Sequence, residues 1–127
     1  MCNEGGVDMV TVGLLVRLAA KPGRELELEQ FLRSALALVE NEPGTTAWFA
    51  LKFAPFSFLI FDAFSQDADR QAHLAGRVAA ALMARAADLL AAPPDIEYTD
   101  TFASKLPHAS NALLATRVLG SAGANDE

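Results

Sequence analysis

The segment "LIFDAFSQDADRQAHL", residues 59–74, holds the two side chains in this sequence best suited to moving a proton. Asp62 sits inside an apolar, strand-like run, and His73 follows about one turn into the helical stretch after it. A carboxylate held among apolar side chains loses solvation. Its pKa then rises, and it becomes a base for a phenol or an activated C–H. An imidazole titrates near neutral pH and can pass such a proton on. Both residues also have a structural alternative. Asp62 would then pair with Arg17 or Lys52, or face water near a strand end. His73 would lie at the surface or bond a backbone carbonyl.

Around this pair, Trp48, Phe64 and Tyr98 are the candidates for lining a pocket that takes a flat ring. Trp48 serves equally as core or as part of an interface. Tyr98 can pack its ring and offer its hydroxyl to a substrate. Other chemistries find no support. His73 and His108 are the only histidines, no His-Glu-x-x-His spacing occurs, and the single cysteine, Cys2, is near the chain start, so no metal site is expected. Gly5-Gly6 and the glycines at 120–123 do not sit in a phosphate-binding loop, and Ser57, Ser65 and Ser104 lie in no nucleophile-elbow pattern. The expectation is a protein without metal or organic cofactor.

Composition narrows the partners. The chain has 127 residues, enough for one domain with a sizeable core. Its net charge is −6, which disfavours nucleic acid and anionic membrane surfaces, where Lys and Arg must neutralise phosphates. A lone cysteine builds no disulfide framework. Arg17, Asp62 and Arg85 interrupt the best apolar runs, so none is suited to span a bilayer. A cytoplasmic protein is the simplest expectation.

The elements that must position these residues follow from periodicity. "MVTVGLLVRL" (residues 9–18) reads as a first strand. Leu28, Phe31, Leu32, Ala35, Leu38 and Val39 fall at helical spacing after the "AAKPG" turn, and Pro43-Gly44 stops that helix. "TTAWFALKF" (45–53) and "SFLIFDAF" (57–64) read as a hairpin. Ser65 or Asp67 can cap the next helix. Gly76 should break it, with a second piece from Arg77 to about Leu90. "IEYTDTFA" (96–103) is a fourth strand, and "NALLATRVL" (111–119) is a further amphipathic stretch. The order β-α-β-β-α-β is an α+β, ferredoxin-like arrangement, an antiparallel sheet with its helices on one face. The expected extents are a tail over 1–8, one domain over 9–106 and a tail over 107–127.

The strands do not alternate as a sheet covered on one face should. Phe49, Leu51 and Phe53 oppose Trp48 and Ala50. Leu59, Phe61 and Ala63 oppose Phe58, Ile60 and Phe64. One helix layer covers one apolar face, and a second copy of the sheet would cover the other. The apolar fraction of 52% agrees with surface hidden by a partner. The expectation is a homodimer packed sheet to sheet, with Arg17 closing an ion pair across it.

The "KPG" turn before an amphipathic helix, "EPGTTAWFA" opening strand two, and "FDAF…AHL" joining strand three to helix two resemble antibiotic biosynthesis monooxygenase-like proteins. The resemblance runs from about Thr11 to Lys105. It implies the dimeric α+β barrel and a pocket between sheet and helices in each protomer. It also implies a cofactor-independent monooxygenase acting on a small aromatic or quinol-like molecule. Strand three departs from the pattern, with Asp62-Ala63-Phe64 where a Glu-Val-Trp-like ending is common. Strand one lacks the Asn, and helix two the Trp, of the haem-degrading branch, so haem is not expected. The alternative is a non-catalytic dimeric module that binds a small ligand or serves structure alone.

The two-faced strands generate a first expected outcome. Light scattering at micromolar concentration should give the mass of a dimer, with well over about 1,000 Å² buried in total. A monomer under those conditions removes the reason offered for the second apolar face.

Overall fold

The computed structural model describes residues 9–107. The tails over 1–8 and 108–127, with Cys2, His108 and the stretch 111–119, lie outside the described residues. Strand β1 (Val12–Ala19) is followed by helix α1 (Glu25–Val39), strands β2 (Thr45–Ala54) and β3 (Ser57–Phe64), helices α2 (Asp67–Leu74) and α3 (Arg77–Leu89), and strand β4 (Asp95–Asp100). The four strands form one antiparallel sheet in the order β2-β3-β1-β4. This is the ferredoxin-like α+β arrangement expected from the strand and helix order. Strand β4 is shorter than the apolar pattern predicts. Thr101 N–H still donates to Thr11 O at 2.9 Å, but β1 offers no partner further on, and Phe102 is fully exposed.

Sequence spacing explains what each helix buries. In α1, Leu28, Leu32, Ala35 and Val39 recur at intervals of three and four and face the sheet. In α3, Val78, Leu82 and Leu89, spaced by four and seven, also share one buried face. Against them stand Leu14, Val16 and Leu18 from β1 and Phe58, Ile60 and Phe64 from β3. A fully buried Phe or Leu contributes about 1.5–3 kcal/mol relative to exposure, so this layer supplies the main driving force for folding. Helix α2 is different. Its buried residues are Arg70 and His73, both polar. Arg70 donates to the carbonyls of Gly13 at 3.1 Å and Thr99 at 3.2 Å, and its guanidinium stacks 4.5 Å above the Tyr98 ring. This short helix is therefore held to the sheet by directed polar contacts rather than an apolar stripe.

The opposite sheet face carries no helix. Phe49, Leu51 and Phe53 are about half exposed there, and the Phe49 and Phe61 rings stack 6.5 Å apart. Arg17, on the same face, donates to Glu97 at 2.8 Å within the chain. Asp95 lies 3.9 Å from the same guanidinium, because the β1–β4 register sets Leu15 opposite Glu97 and Arg17 opposite Asp95.

Gly13 marks the tightest point of the central strand. A Cβ there would stand 2.6 Å from the Asp62 carbonyl oxygen and 2.8 Å from Thr99 Oγ1. The first neighbour is backbone and cannot swing away. Gly13→Ala should therefore destabilise the fold by about 1–3 kcal/mol, the range of overpacked cores, despite the entropic gain of about 0.4–1 kcal/mol that Gly→Ala brings at unstrained sites. A denaturant titration with no loss in midpoint would show that β1 and β3 can separate at no cost.

Candidate functional site

Three elements converge on His73. It lies on α2 three residues after Arg70, so both point to the sheet. Beneath it, Asp62 is on the helix-facing side of β3, between Ile60 and Phe64. Glu42 comes from the turn after α1. That turn is built by Glu42 N–H donating to Val39 O at 2.8 Å and Thr45 N–H donating to Glu42 O at 3.1 Å, before Pro43-Gly44 redirects the chain into β2. Gly76, where the second helical region breaks, gives Glu42 its space: a Cβ at Gly76 would lie 3.1 Å from Glu42 Oε2.

The imidazole is held between the two carboxylates. His73 Nδ1 is 2.6 Å from Glu42 Oε1, which also accepts from Thr45 Oγ1 at 2.8 Å. Nε2 lies 3.1 Å from Asp62 Oδ2. That is an ion-pair distance, but its direction departs from a hydrogen bond, so neither Asp62 oxygen has a hydrogen-bond partner among the described residues. Side-chain exposure rises along the row, from 1% at Asp62 through 7% at His73 to 19% at Glu42. The Phe64 ring stands 5.5 Å from the imidazole and closes the apolar side.

Burial pushes the Asp62 carboxyl above the usual aspartate range; His73 pulls it down and the Glu42 charge adds to the rise. For His73, burial disfavours the cation, but the close approach of Asp62 and Glu42 outweighs it and raises the imidazole above its ordinary value. Both shifts make the cluster retain protons. Both ring nitrogens face carboxylates, which leaves no free lone pair for a metal. Among the described residues no group of His, Cys, Asp and Glu has the geometry to hold a metal ion.

Trp48 and Asp62 are cross-strand partners, and Leu14 and Tyr98 continue the same row across β1 and β4. Trp48 therefore adjoins Asp62, and its indole N–H is also buried without a hydrogen-bond partner among the described residues. Tyr98 is three strand spacings from Trp48, about 14 Å at the usual separation, and more than half exposed. Phe64 is fully buried. The structure thus brings Asp62, His73, Phe64 and Trp48 together and leaves Tyr98 at the far edge beside Arg70. Sequence reasoning does not single out Glu42: it opens "EPGTTAWFA", but as one of two acids in the polar run "ENEPG" it carries no periodicity that points to His73.

A groove of about 560 Å³ runs between α1 and the β2 edge, lined by Leu32, Leu36, Trp48, Phe58 and residues on both faces of β2, with Glu29, Arg33 and Lys52 also lining it. It is large enough for an aromatic ring. Neither Asp62 nor His73 lines it; Trp48 stands between. A second opening of about 60 Å³ is lined by Glu42, Gly44, Thr45, Asp69, Ala72 and His73.

A crystal structure of the NE2512 protein of unknown function from Nitrosomonas europaea is 58% identical in sequence, with a TM-score of 0.79, and the match covers 80% of this chain and 99% of that one. The chain belongs to the same family as that Nitrosomonas protein. A putative antibiotic biosynthesis monooxygenase from Caulobacter crescentus matches with a TM-score of 0.66 at 21% identity, over 74% of this chain and 92% of that one. Another from Nitrosomonas europaea matches with a TM-score of 0.66 at 19% identity, over 72% of this chain and 99% of that one. These two share the fold, and the resemblance read from the turn and strand motifs is supported at that level. No family model matches the chain, and no curated protein does. No helix among the described residues is long and apolar enough to cross a membrane.

The raised pKa of His73 makes stability depend on pH. The folded state binds the His73 proton more tightly than the unfolded chain, whose imidazole titrates near about 6.5. This contribution is full below that value and is lost as pH rises through the raised folded pKa. Asp62, also raised, has the same sign: its contribution is full below about 3.9 and declines above it. Stability should therefore fall by up to about 1.4 kcal/mol per pH unit for one proton as pH is raised above about 6.5, and Tm should fall with it. His73→Gln should flatten that decline. Parallel melting curves for the two proteins, from about pH 6 to 9, check it; equal slopes would mean the imidazole is not protonated more readily in the folded state.

Proposed function

We propose that this protein is a homodimeric, cofactor-independent oxygenase for a small aromatic or quinol-like substrate that carries an acidic hydroxyl. The observation that carries the reading is the pair of unpartnered polar groups at Trp48 and Asp62. A buried indole N–H and a buried carboxylate on cross-strand partners each forfeit about 1–3 kcal/mol when unsatisfied. A substrate hydroxyl would accept from the first and donate to the second. In this reading the ring occupies the groove between α1 and β2, and rotation of the Trp48 side chain joins that groove to Asp62. Asp62 takes the hydroxyl proton, His73 stabilises the transferred proton, and Phe64 keeps the base dry. The resulting anion is electron-rich enough to pass one electron to dioxygen, and the two radicals combine to form a C–O bond. Tyr98 is too distant to touch the same ring in the same chain.

The dimer belongs to this reading. The groove wraps the β2 edge and includes Phe49 and Leu51 from the uncovered sheet face. A second copy stacked on that face would hide these rings and close the groove from one side.

One observation favours the alternative of a non-catalytic ligand-binding module: the groove touches neither Asp62 nor His73. Two measurements separate the readings. The protein contains one tryptophan, Trp48, so its fluorescence reports ring binding in the groove without interference. Oxygen uptake with hydroquinones and anthrone-like phenols reports turnover. The oxygenase reading expects both signals. It also expects Asp62→Asn to abolish uptake, by about 10²-fold or more as for loss of a general base. Folding should be retained, because His73 keeps Glu42 as a partner and a costly buried charge is removed. Quenching without uptake across that panel supports the module instead.

A further inference from the structure

From the row Asp62–His73–Glu42 and the small opening at its outer end, we infer that Glu42 is the proton exit of the site, linking the buried base to solvent on the side away from the substrate groove. The inference deepens the oxygenase reading and rests on it for its purpose, though not for its test. Asp62 is almost wholly buried and neither of its carboxylate oxygens has a hydrogen-bond partner among the described residues, so a proton placed there has no direct route to water. His73 Nε2 stands 3.1 Å from Asp62 Oδ2, a contact that becomes a hydrogen bond when the carboxyl turns toward the ring, and Nδ1 stands 2.6 Å from Glu42. Glu42 in turn borders the opening of about 60 Å³ beside Thr45, Asp69 and Ala72. That space holds a few water molecules but no substrate ring. A purely structural pin would need only a backbone carbonyl at Nδ1. Here each contact of the imidazole is itself ionisable, and exposure increases step by step outward.

The transfer balances without any other reactant. The relay runs from the neutral ring, the form present above the raised His73 pKa, with its proton on Nδ1 toward Glu42. A proton received by Asp62 then passes to His73 Nε2. The proton on Nδ1 passes to Glu42, and Glu42 releases it to water in the opening. The ring is left with its proton on Nε2 rather than Nδ1, and the same steps in reverse restore the first tautomer when the oxygenated product takes a proton back. The charged groups facing this path are Asp62 from β3, Glu42 from the α1–β2 turn, and Asp69 from the outer side of α2, with the Arg70–Asp67 pair on the same helix.

The test reads the exit itself, whether or not a substrate is known. Exchange of the His73 ring N–H with water is measured by nitrogen-edited NMR, with His73→Gln identifying the signal. Glu42→Gln keeps the size and the acceptor oxygen but cannot carry the proton; exchange should slow tenfold or more, and formate added as a small proton carrier should restore part of it. Ala72→Leu, which leaves all three relay residues in place and covers the opening from the exposed side of α2, should slow exchange severalfold. It guards against a Glu42 variant that fails to fold. Exchange within twofold of the unmodified protein in either folded variant overturns the inference. Loss of oxygen uptake in Asp62→Asn together with unchanged exchange in Glu42→Gln would overturn the exit while leaving the oxygenase reading intact. Slowed exchange with no uptake of oxygen by any phenol would do the reverse.

Discussion

The imidazole of His73, buried between Asp62 and Glu42, is the contact on which the helix-facing half of the molecule depends. Removing a carboxylate from water costs several kcal/mol even after a protein relaxes around it. The chain places one at 1% exposure with no hydrogen-bond partner, and a second close by. Only a shared proton or a cation between them makes the arrangement tolerable, and His73 supplies it. Three separate elements are thereby tied together: β3 through Asp62, α2 through His73, and the turn after α1 through Glu42. The break at Gly76 and the tight turn at Pro43-Gly44, both set by local turn chemistry, make room for this contact, because each brings chain close to Glu42.

That contact also explains why α2 is short and polar. A helix of eight residues is too short to be stable alone. It does not bury an apolar stripe but aims Arg70 and His73 inward. The first reaches two strand carbonyls and stacks on Tyr98; the second enters the acid pair. Directed bonds of this kind fix the orientation of His73 between the two carboxylates, as a preorganised site requires.

The sheet adds a second constraint. Its helix-facing side is filled by the core, and its other side presents Phe49, Leu51 and Phe53 about half exposed. Contiguous apolar surface of this kind is rare on monomers. The groove at the β2 edge draws on both sides of the strand. The open face and the candidate binding site are for that reason not independent features.

Much of this was legible in the residues themselves. Helical spacing from Leu28 to Val39, the strand-like runs around Phe49, Ile60 and Val16, and the stops at Pro43-Gly44 and Gly76 determine the element order, since periodicity and turn chemistry are local. The apolar character of both faces of β2 and β3 is local too. Asp62 and His73 stood out because an acid within an apolar strand is expensive wherever the strand lies. Glu42 did not, for it is 31 residues from His73 in an ordinary polar turn. The end of β4 was set by the start of β1, not by its own residues. Tyr98 looked as suitable as Trp48 until strand order put them on opposite edges. Sequence alone decided which elements form and which side chains are costly to bury. Tertiary structure decided which of those side chains meet, because a proton-sharing contact depends on distances that no local pattern encodes.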